Sequence, residues 1–355
     1  MNNRITMKHG AGGTSMHELI KEVFLKNFKT NFKIKKDIDV PLNALDDSGV
    51  IDGIVFTTDS HTVSPIFFPG GDIGSLAVAG TINDIAVMGA KPIALSSAFV
   101  IEEGFAKSDM ERIVKSMAET SKLANVPIIT GDTKVVEAKK IDKIVINTSG
   151  IGKSFDSLEK NMGVVKKYRK NLNSKWTLDS NLMDSDKLIL SGTVGDHGIA
   201  IISSREDYGF ETNVKSDVFP LNKMIEKCLD VGGITAMKDP TRGGIANALN
   251  EWSEKSNIGI IIEEEKIPIS AGVRSACEFL GLDPLTIGNE GKVLIGCVED
   301  MADEILSVLR KTKEGKNAEI IGTAKKNIKK VVMDTIVGGR RIIEAPSGDP
   351  IPRIC

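Results

Sequence analysis

Short apolar runs that end on aspartate or glycine alternate with amphipathic stretches of helical period through most of this 355-residue chain. In the first half the spacing predicts a helix over Thr14–Asn27, with Met16, Leu19, Ile20, Val23 and Phe24 on one face and a Ser15/Glu18 capping box. Strands follow at Gly53–Thr57, Ala94–Ile101, Pro127–Thr130 and Lys143–Ser149, around a helix at Ile73–Met88 and a third helix capped by Ser108 and Glu111. The second half repeats the theme. Strands are expected at Lys187–Ser191, Gly259–Ile262, Lys292–Val298, Ala318–Gly322 and Lys330–Met333. Helices are expected at Asp196–Ser203, Asp217–Leu229, Gly243–Glu254, Ser270–Leu280 and Met301–Lys311. Such interleaving predicts an α/β or α+β protein.

The length suggests two domains, since domains of roughly 150 residues are common. Gly150 and Gly152 mark the expected boundary, and Lys153–Asp186, polar and lysine-rich, reads as a solvated connection with at most a short helix. The chain therefore divides into an N-terminal glycine loop and helix (1–40), a first α/β domain (41–152), a second (153–337) and a tail (338–355). Pro346, Gly348, Pro350 and Pro352 break any regular element in that tail, which predicts a mobile, extended segment.

Charge is balanced, with 46 basic against 48 acidic residues, so nothing favours nucleic acid or an anionic membrane surface. No apolar run is long enough to span a bilayer, and Met1–Thr6 lacks the apolar core of a signal peptide, so a cytoplasmic protein is expected. Cys228, Cys277, Cys297 and Cys355 form no Cys-x-x-Cys pair, which argues against disulfides and a zinc site. The first three read as small core residues; Cys355 is the last residue of the chain.

Carboxylates carry most of the chemical signal. Asp46-Asp47 precede Ser48-Gly49, and Asp59 and Asp132 end apolar strands, where side chains point into the crevice that binds ligands in α/β proteins. Any one of them could simply cap a turn. Several converging without histidine or cysteine suit a hard ion such as Mg²⁺ on nucleotide phosphates. Asp84, with Asn83, lies inside the otherwise apolar helix Ala77–Met88, where an unpaired carboxylate is costly to bury and a metal ion would satisfy it. The loop His9-Gly10-Ala11-Gly12-Gly13 could hold phosphate but lacks the Gly-Lys-Ser/Thr of a Walker A loop. His17-Glu18 begins a zinc-protease pattern, but Lys21 stands where its second histidine belongs.

Several segments together resemble the hydrogenase-maturation HypE family: Met7–Gly13, Phe67–Gly74, Gly80–Asp84, Gly131–Val136, Gly195–Gly198, Asp239–Gly244, Asn289–Lys292 and the terminal Pro352-Arg353-Ile354-Cys355. This family is grouped with aminoimidazole ribonucleotide synthetase, selenophosphate synthetase and thiamine-monophosphate kinase. The resemblance implies a two-domain aminoimidazole ribonucleotide synthetase-like fold with a flexible C-terminal tail. It also implies a homodimer formed through the first domain's sheet, with ATP near the interface. On that pattern Asp46, Asp47, Asp59, Asp84, Asp132 and Lys134 bind ATP, with Mg²⁺ on Asp47, Asp59, Asp84 and Asp132. A carbamoyltransferase, HypF, would load Cys355. ATP-dependent dehydration of the S-carbamoyl group would then give a thiocyanate, and its cyanide would pass to a HypC–HypD complex for the iron of nickel–iron hydrogenase.

Such a dehydration needs a base for the last N–H proton. Glu290 and Lys134 are the candidates, with His9 and His197 behind them, and Arg353 is placed to favour the Cys355 thiolate. Two other readings stay open on the sequence alone. One is a relative phosphorylating a free small molecule, although selenophosphate synthesis is disfavoured because no cysteine lies near the glycine loop. The other is a non-catalytic carrier presenting Cys355.

Overall fold

A computed structural model describes residues 4–28, 38–205, 209–348 and 350–355. The first half is built on a six-stranded sheet of β1 (Ile38–Val40), β2 (Gly49–Ile51), β3 (Ile54–His61), β6 (Ala90–Glu102), β7 (Ile128–Val136) and β8 (Ile144–Ser154). A short ribbon, β4 (Phe67–Phe68) with β5 (Gly71–Asp72), precedes its main helix. The strand order is β1-β2-β3-β8-β6-β7, antiparallel throughout except for the β6–β7 pair. Helices α1 (Thr14–Leu19), α2 (Ile73–Val87) and α3 (Lys107–Ala124) complete this half.

Helix α2 is apolar on every side and nearly every residue is buried, as a helix between two layers must be. Asp72 starts it: the carboxylate accepts from the Gly74 and Ser75 amides at 2.8 and 2.9 Å, and Ser75 Oγ accepts from Asp72 N. Gly150 and Gly152 lie within β8, where a Cβ would come within 2.6 and 2.5 Å of Ile85, so their bareness lets α2 rest on the sheet.

The second half contains α4 (Asp156–Tyr168), β9 (Lys187–Leu190), α5 (Asp196–Ser203), α6 (Asn222–Val231), β10 (Ile234–Lys238) and α7 (Gly244–Ser256). It continues through β11 (Gly259–Glu263), α8 (Ala271–Leu280), β12 (Leu294–Cys297), α9 (Ala302–Arg310), β13 (Glu319–Lys325), β14 (Val331–Asp334) and β15 (Arg340–Ile343). Its sheet runs β10-β12-β9-β13-β11-β14-β15, with only β11–β14 parallel. No described helix is long and apolar enough to cross a membrane.

Several local expectations change. Lys153–Asp186 is not a solvated connection: α4 buries Leu158, Met162 and Val165, and Trp176 joins the same core as α2 and α6. The basic run Lys166–Lys170 disguises it, because Lys166 and Lys167 lie exposed on the helix's last turn and the run continues past its end. Neither N-terminal capping box forms. Helix α1 starts after Gly13 and α3 after Ala106, with Ser15 and Ser108 already inside. Past Leu19 the first helix widens to π-helical winding over Ile20–Leu25, and Val23 and Phe24 stay exposed. Asp217–Leu221 holds neither helix nor strand, and β10 and β15 add strands beyond those expected. The β14–β15 hairpin carries regular structure to Ile343, and beyond it the described residues hold neither helix nor strand.

Because α4 is part of the core, Leu158→Ala should cost about 2–5 kcal/mol of stability. Urea denaturation measures this; a solvated connector would give a change within about 0.5 kcal/mol.

Candidate active site

A cavity of about 390 Å³ opens between the halves. Asp46, Asp47, Asp59 and Asp84 line it from the first; Lys238, Asp239, Arg242, Glu251 and Glu290 line it from the second, and Cys355 joins them. Thr57, Asp59 and His61 face inward because β3 alternates. Asp84 reaches the same side from α2, where its carboxylate accepts from Thr57 Oγ1 at 3.0 Å. The neighbouring Asn83 ties the two halves together, since its side-chain amide accepts the Leu221 N–H and donates to the Phe219 and Glu290 carbonyls.

The acids divide by partner. Lys238, at the end of β10, is buried against Asp47 (2.8 Å), Glu251 (3.1 Å) and Asp179 (3.2 Å). Burial works against its charge, yet those three carboxylates hold it protonated well above the ordinary lysine range. Glu251 is likewise held low, against the cost of burial, by Lys238, His17 and Lys255. Burial still leaves the Asp47 carboxyl somewhat raised, with Lys238 opposing. Asp46 accepts from Asp179 N at 3.0 Å, and burial together with Asp179 pushes it up to about 6.

Asp84, Asp239 and Glu290 are not drawn into that ion-pair cluster. Burial, and then the nearby charges of Asp239 and Asp59, push both Asp84 and Glu290 well above the carboxylate range. Asp239 is raised by burial and by Asp47. Glu290 Oε1 is buried with no hydrogen-bond partner. Lys292, close by in the same turn, pairs with Asp217 at 3.0 Å instead, so Glu290 is not neutralised by it. A site with uncompensated acids and an orphaned carboxylate oxygen fits a bound cation and phosphate. Among the described residues, no three His, Cys, Asp or Glu side chains form a ready-made metal cage.

The remaining sequence candidates lie elsewhere. Asp132 and Lys134 sit on the exposed edge strand β7 and pair with each other at 3.0 Å, away from this chain's own cavity. His9 bonds back to Thr6. His197 is buried, with Nε2 2.6 Å from the Ile354 carbonyl and Nδ1 2.8 Å from Ser216 Oγ. The cation facing Cys355 is not Arg353, whose guanidinium donates to Thr62 O and to Asp142. It is Arg242, which holds its proton more tightly chiefly because of Cys355, then Asp59 and Glu290. Gly12 and Gly13, both at positive φ, let the N-terminal loop lie against the carbonyls of Arg242 and Pro346; a Cβ would meet them at 3.0 and 2.0 Å.

Sequence reasoning leaves Lys238, Arg242, Asp239, Glu251 and Asp179 without a role. The segment Asp239–Gly244 is visible as a motif, and Lys238, a lysine closing the apolar run Ile234–Met237, is a signal of the same kind as the strand-end aspartates.

Comparison with known proteins agrees with this geometry. Residues 45–154 match the AIR synthase related protein, N-terminal domain, and residues 184–334 match its C-terminal domain. A Methanocaldococcus jannaschii protein named for hydrogenase expression or formation is 55 % identical over 357 residues, covering 99 % of this chain and all of that one. The Rhizobium leguminosarum bv. viciae carbamoyl dehydratase HypE is 43 % identical over 361 residues, covering all of this chain and 96 % of that protein. The chain belongs to the HypE family of carbamoyl dehydratases. Among solved structures, HypE in a HypE–HypF complex superposes with a TM-score of 0.82 at 45 % identity, covering 92 % of this chain and 99 % of that one. HypE in complex with ATP gives a TM-score of 0.78 at 38 % identity, covering 99 % and 100 %. The HypE fold, with its two AIR synthase related domains, is thus the fold of this protein.

Removing Lys238 leaves buried Asp47 without its ion-pair partner and takes one cation from Asp179 and Glu251, which keep Lys255 and His17. Lys238→Ala should lose about 3–5 kcal/mol, read as a lowered urea midpoint; a shift below about 1 kcal/mol would show the cluster to be solvated.

Proposed function

We propose that this protein dehydrates an S-carbamoyl group on its own Cys355 to a thiocyanate with consumption of ATP, supplying cyanide for nickel–iron hydrogenase maturation. The observation that carries this reading is that Cys355 lines the same cavity as Glu290, whose Oε1 is buried and unpartnered, and as the acids around Asp84. An enzyme acting on a free small molecule would not need its last residue there, and a carrier would not need the acids.

ATP converts the carbamoyl oxygen, otherwise a hydroxide-like leaving group, into a phosphate that can depart, and Mg²⁺ offsets phosphate charge when bound. Asp47, Asp59 and Asp84, which line the cavity, would hold that ion. One or two carboxylates suffice when phosphates complete the coordination. Arg242 faces the tail end and attracts negative charge developing there. Glu290, buried and raised, is a stronger base than an exposed glutamate and is placed to take the last N–H proton. The atoms balance: R–S–C(=O)NH₂ and ATP give R–S–C≡N, ADP and phosphate.

A homodimer accounts for Asp132 and Lys134. Strand β7 is an edge of its sheet, and beside it the sheet's outer face exposes Ile54, Phe56, Ile93 and Ile151, an apolar surface suited to a second copy. On this arrangement β7 would reach a neighbouring cavity, where Asp132 adds a phosphate or Mg²⁺ ligand and Lys134 a cation. HypF as carbamoyl donor is supported by the similarity to HypE in its complex with HypF. Transfer of cyanide to HypC–HypD and a cytoplasmic location follow from the same family role.

Glu290→Gln keeps shape but is a far weaker base. Incubated with the carbamoyl donor system and then ATP, it should accumulate carbamoyl-Cys355, with conversion to cyano-Cys355 slowed about a hundred- to ten-thousand-fold. Intact-mass spectrometry follows both species. Wild-type conversion would remove Glu290 from the reaction, and carbamoyl mass on Cys228, Cys277 or Cys297 would remove Cys355.

Asp84→Asn removes charge without changing size. Calorimetry should then show Mg-ATP binding weakened about tenfold or more, on the scale of a lost charge-assisted contact. Unchanged affinity would leave Asp84 as a partner of Thr57 alone.

A further inference from the structure

Three stretches lack a role in the reaction so far: Phe67–Gly74, Gly195–Gly198 and the residues flanking Glu290. In the folded chain all three meet one short segment without helix or strand, Lys215–Phe219. Ser216 N donates to the Pro69 carbonyl at 2.8 Å, and Gly70 lies so close that a Cβ would come within 2.8 Å of the Ser216 backbone. The next residue grips Glu290. Asp217 Oδ1 accepts the Glu290 N–H at 3.1 Å, Asp217 Oδ2 accepts from Lys292 at 3.0 Å, and a Cβ on Gly291 would strike Asp217 O at 1.8 Å.

Ser216 holds the other reacting partner at one remove. The Ile354 carbonyl can only accept, so the 2.6 Å contact requires the proton of His197 on Nε2. His197 is fully buried and its pKa is lowered by that burial, so the ring is neutral and Nδ1 must accept. The Ser216 hydroxyl, 2.8 Å away, is then the donor to Nδ1 and supports the tautomer that the Ile354 carbonyl selects. The tail is further seated by Arg205 on the Pro352 and Arg353 carbonyls, by Thr62 on the Cys355 carbonyl at 3.0 Å, and by the buried side chains of Ile351 and Ile354.

We infer that Ser216 and His197 are positioning residues for Cys355, and that the segment bearing Ser216 and Asp217 sets the register between the reacting end of the tail and Glu290 by holding both. This rests on the dehydratase reading above. One short segment thus carries two constraints. Loosening the Ser216 side releases the tail without disturbing Glu290, which is held by Asp217.

The test uses the full-length protein and Ser216→Ala, which removes the donor to His197 Nδ1. Losing one neutral hydrogen bond, worth roughly 0.5–1.5 kcal/mol, should speed alkylation of Cys355 by iodoacetamide about two- to tenfold. Intact mass reports it, because Cys228, Cys277 and Cys297 are buried. Carbamoyl attachment and ATP affinity should match wild type. Conversion of carbamoyl- to cyano-Cys355 should slow about tenfold or more, since small misplacements of reacting groups are costly. Ser216→Thr, which retains the hydroxyl, should restore both alkylation protection and conversion. Wild-type alkylation and conversion in Ser216→Ala would overturn the inference. So would slowed conversion with unchanged alkylation and no rescue by threonine. If the wild-type chain failed to convert carbamoyl-Cys355, the dehydratase reading would fall, while the alkylation rates would still decide whether Ser216 latches the tail.

Discussion

The buried ammonium of Lys238 is the contact on which the site depends. It draws Asp47 from the first half, Asp179 from the segment between the halves and Glu251 from α7 into one cluster, with Lys255 completing it on Asp179 at 2.6 Å. A lone buried charge costs several kcal/mol, so the cluster is tolerable only when its members arrive together. Such an arrangement adds little to net stability compared with apolar packing. It does make a single relative placement of the two halves much better than any other. The cavity is a product of that placement.

What Lys238 does not neutralise is as consequential. Asp84, Asp239 and Glu290 crowd together outside its ion pairs, and each is driven toward its neutral form. A protein maintains such strain where a ligand relieves it, and phosphate with its counter-ion has the matching charge and oxygen chemistry. The N-terminal loop closes the same region: Gly12 and Gly13 allow it to lie against Arg242 and the tail at distances no side chain would permit.

The tail is recognised largely through its backbone. Carbonyls of Pro352, Arg353, Ile354 and Cys355 are each met by a donor from the body of the protein. Ile351 and Ile354 contribute the buried side chains of its last five residues. Backbone recognition gives modest grip per contact.

Much is legible from the sequence, and for local reasons. Apolar period locates α2, α3, α5, α7 and most strands, since 3.6- and 2-residue repeats are written in adjacent residues. The Asn83-Asp84 pair stands out because an apolar helix rarely accepts it, and the terminal cysteine stands out by position. A misreading arises where local signals compete: the basic end of α4 outweighs its apolar stripe. Nothing local could show that Arg242 rather than Arg353 faces Cys355, that Lys292 answers Asp217 and leaves Glu290 alone, or that Asp132 and Lys134 stand on an exposed edge. Lys238 and Asp47 are 191 residues apart. Helical and strand character belong to short segments and are set by the sequence itself, whereas the partner of a buried charge is whichever group the packing of distant segments brings within about 3 Å, and only the tertiary structure decides that.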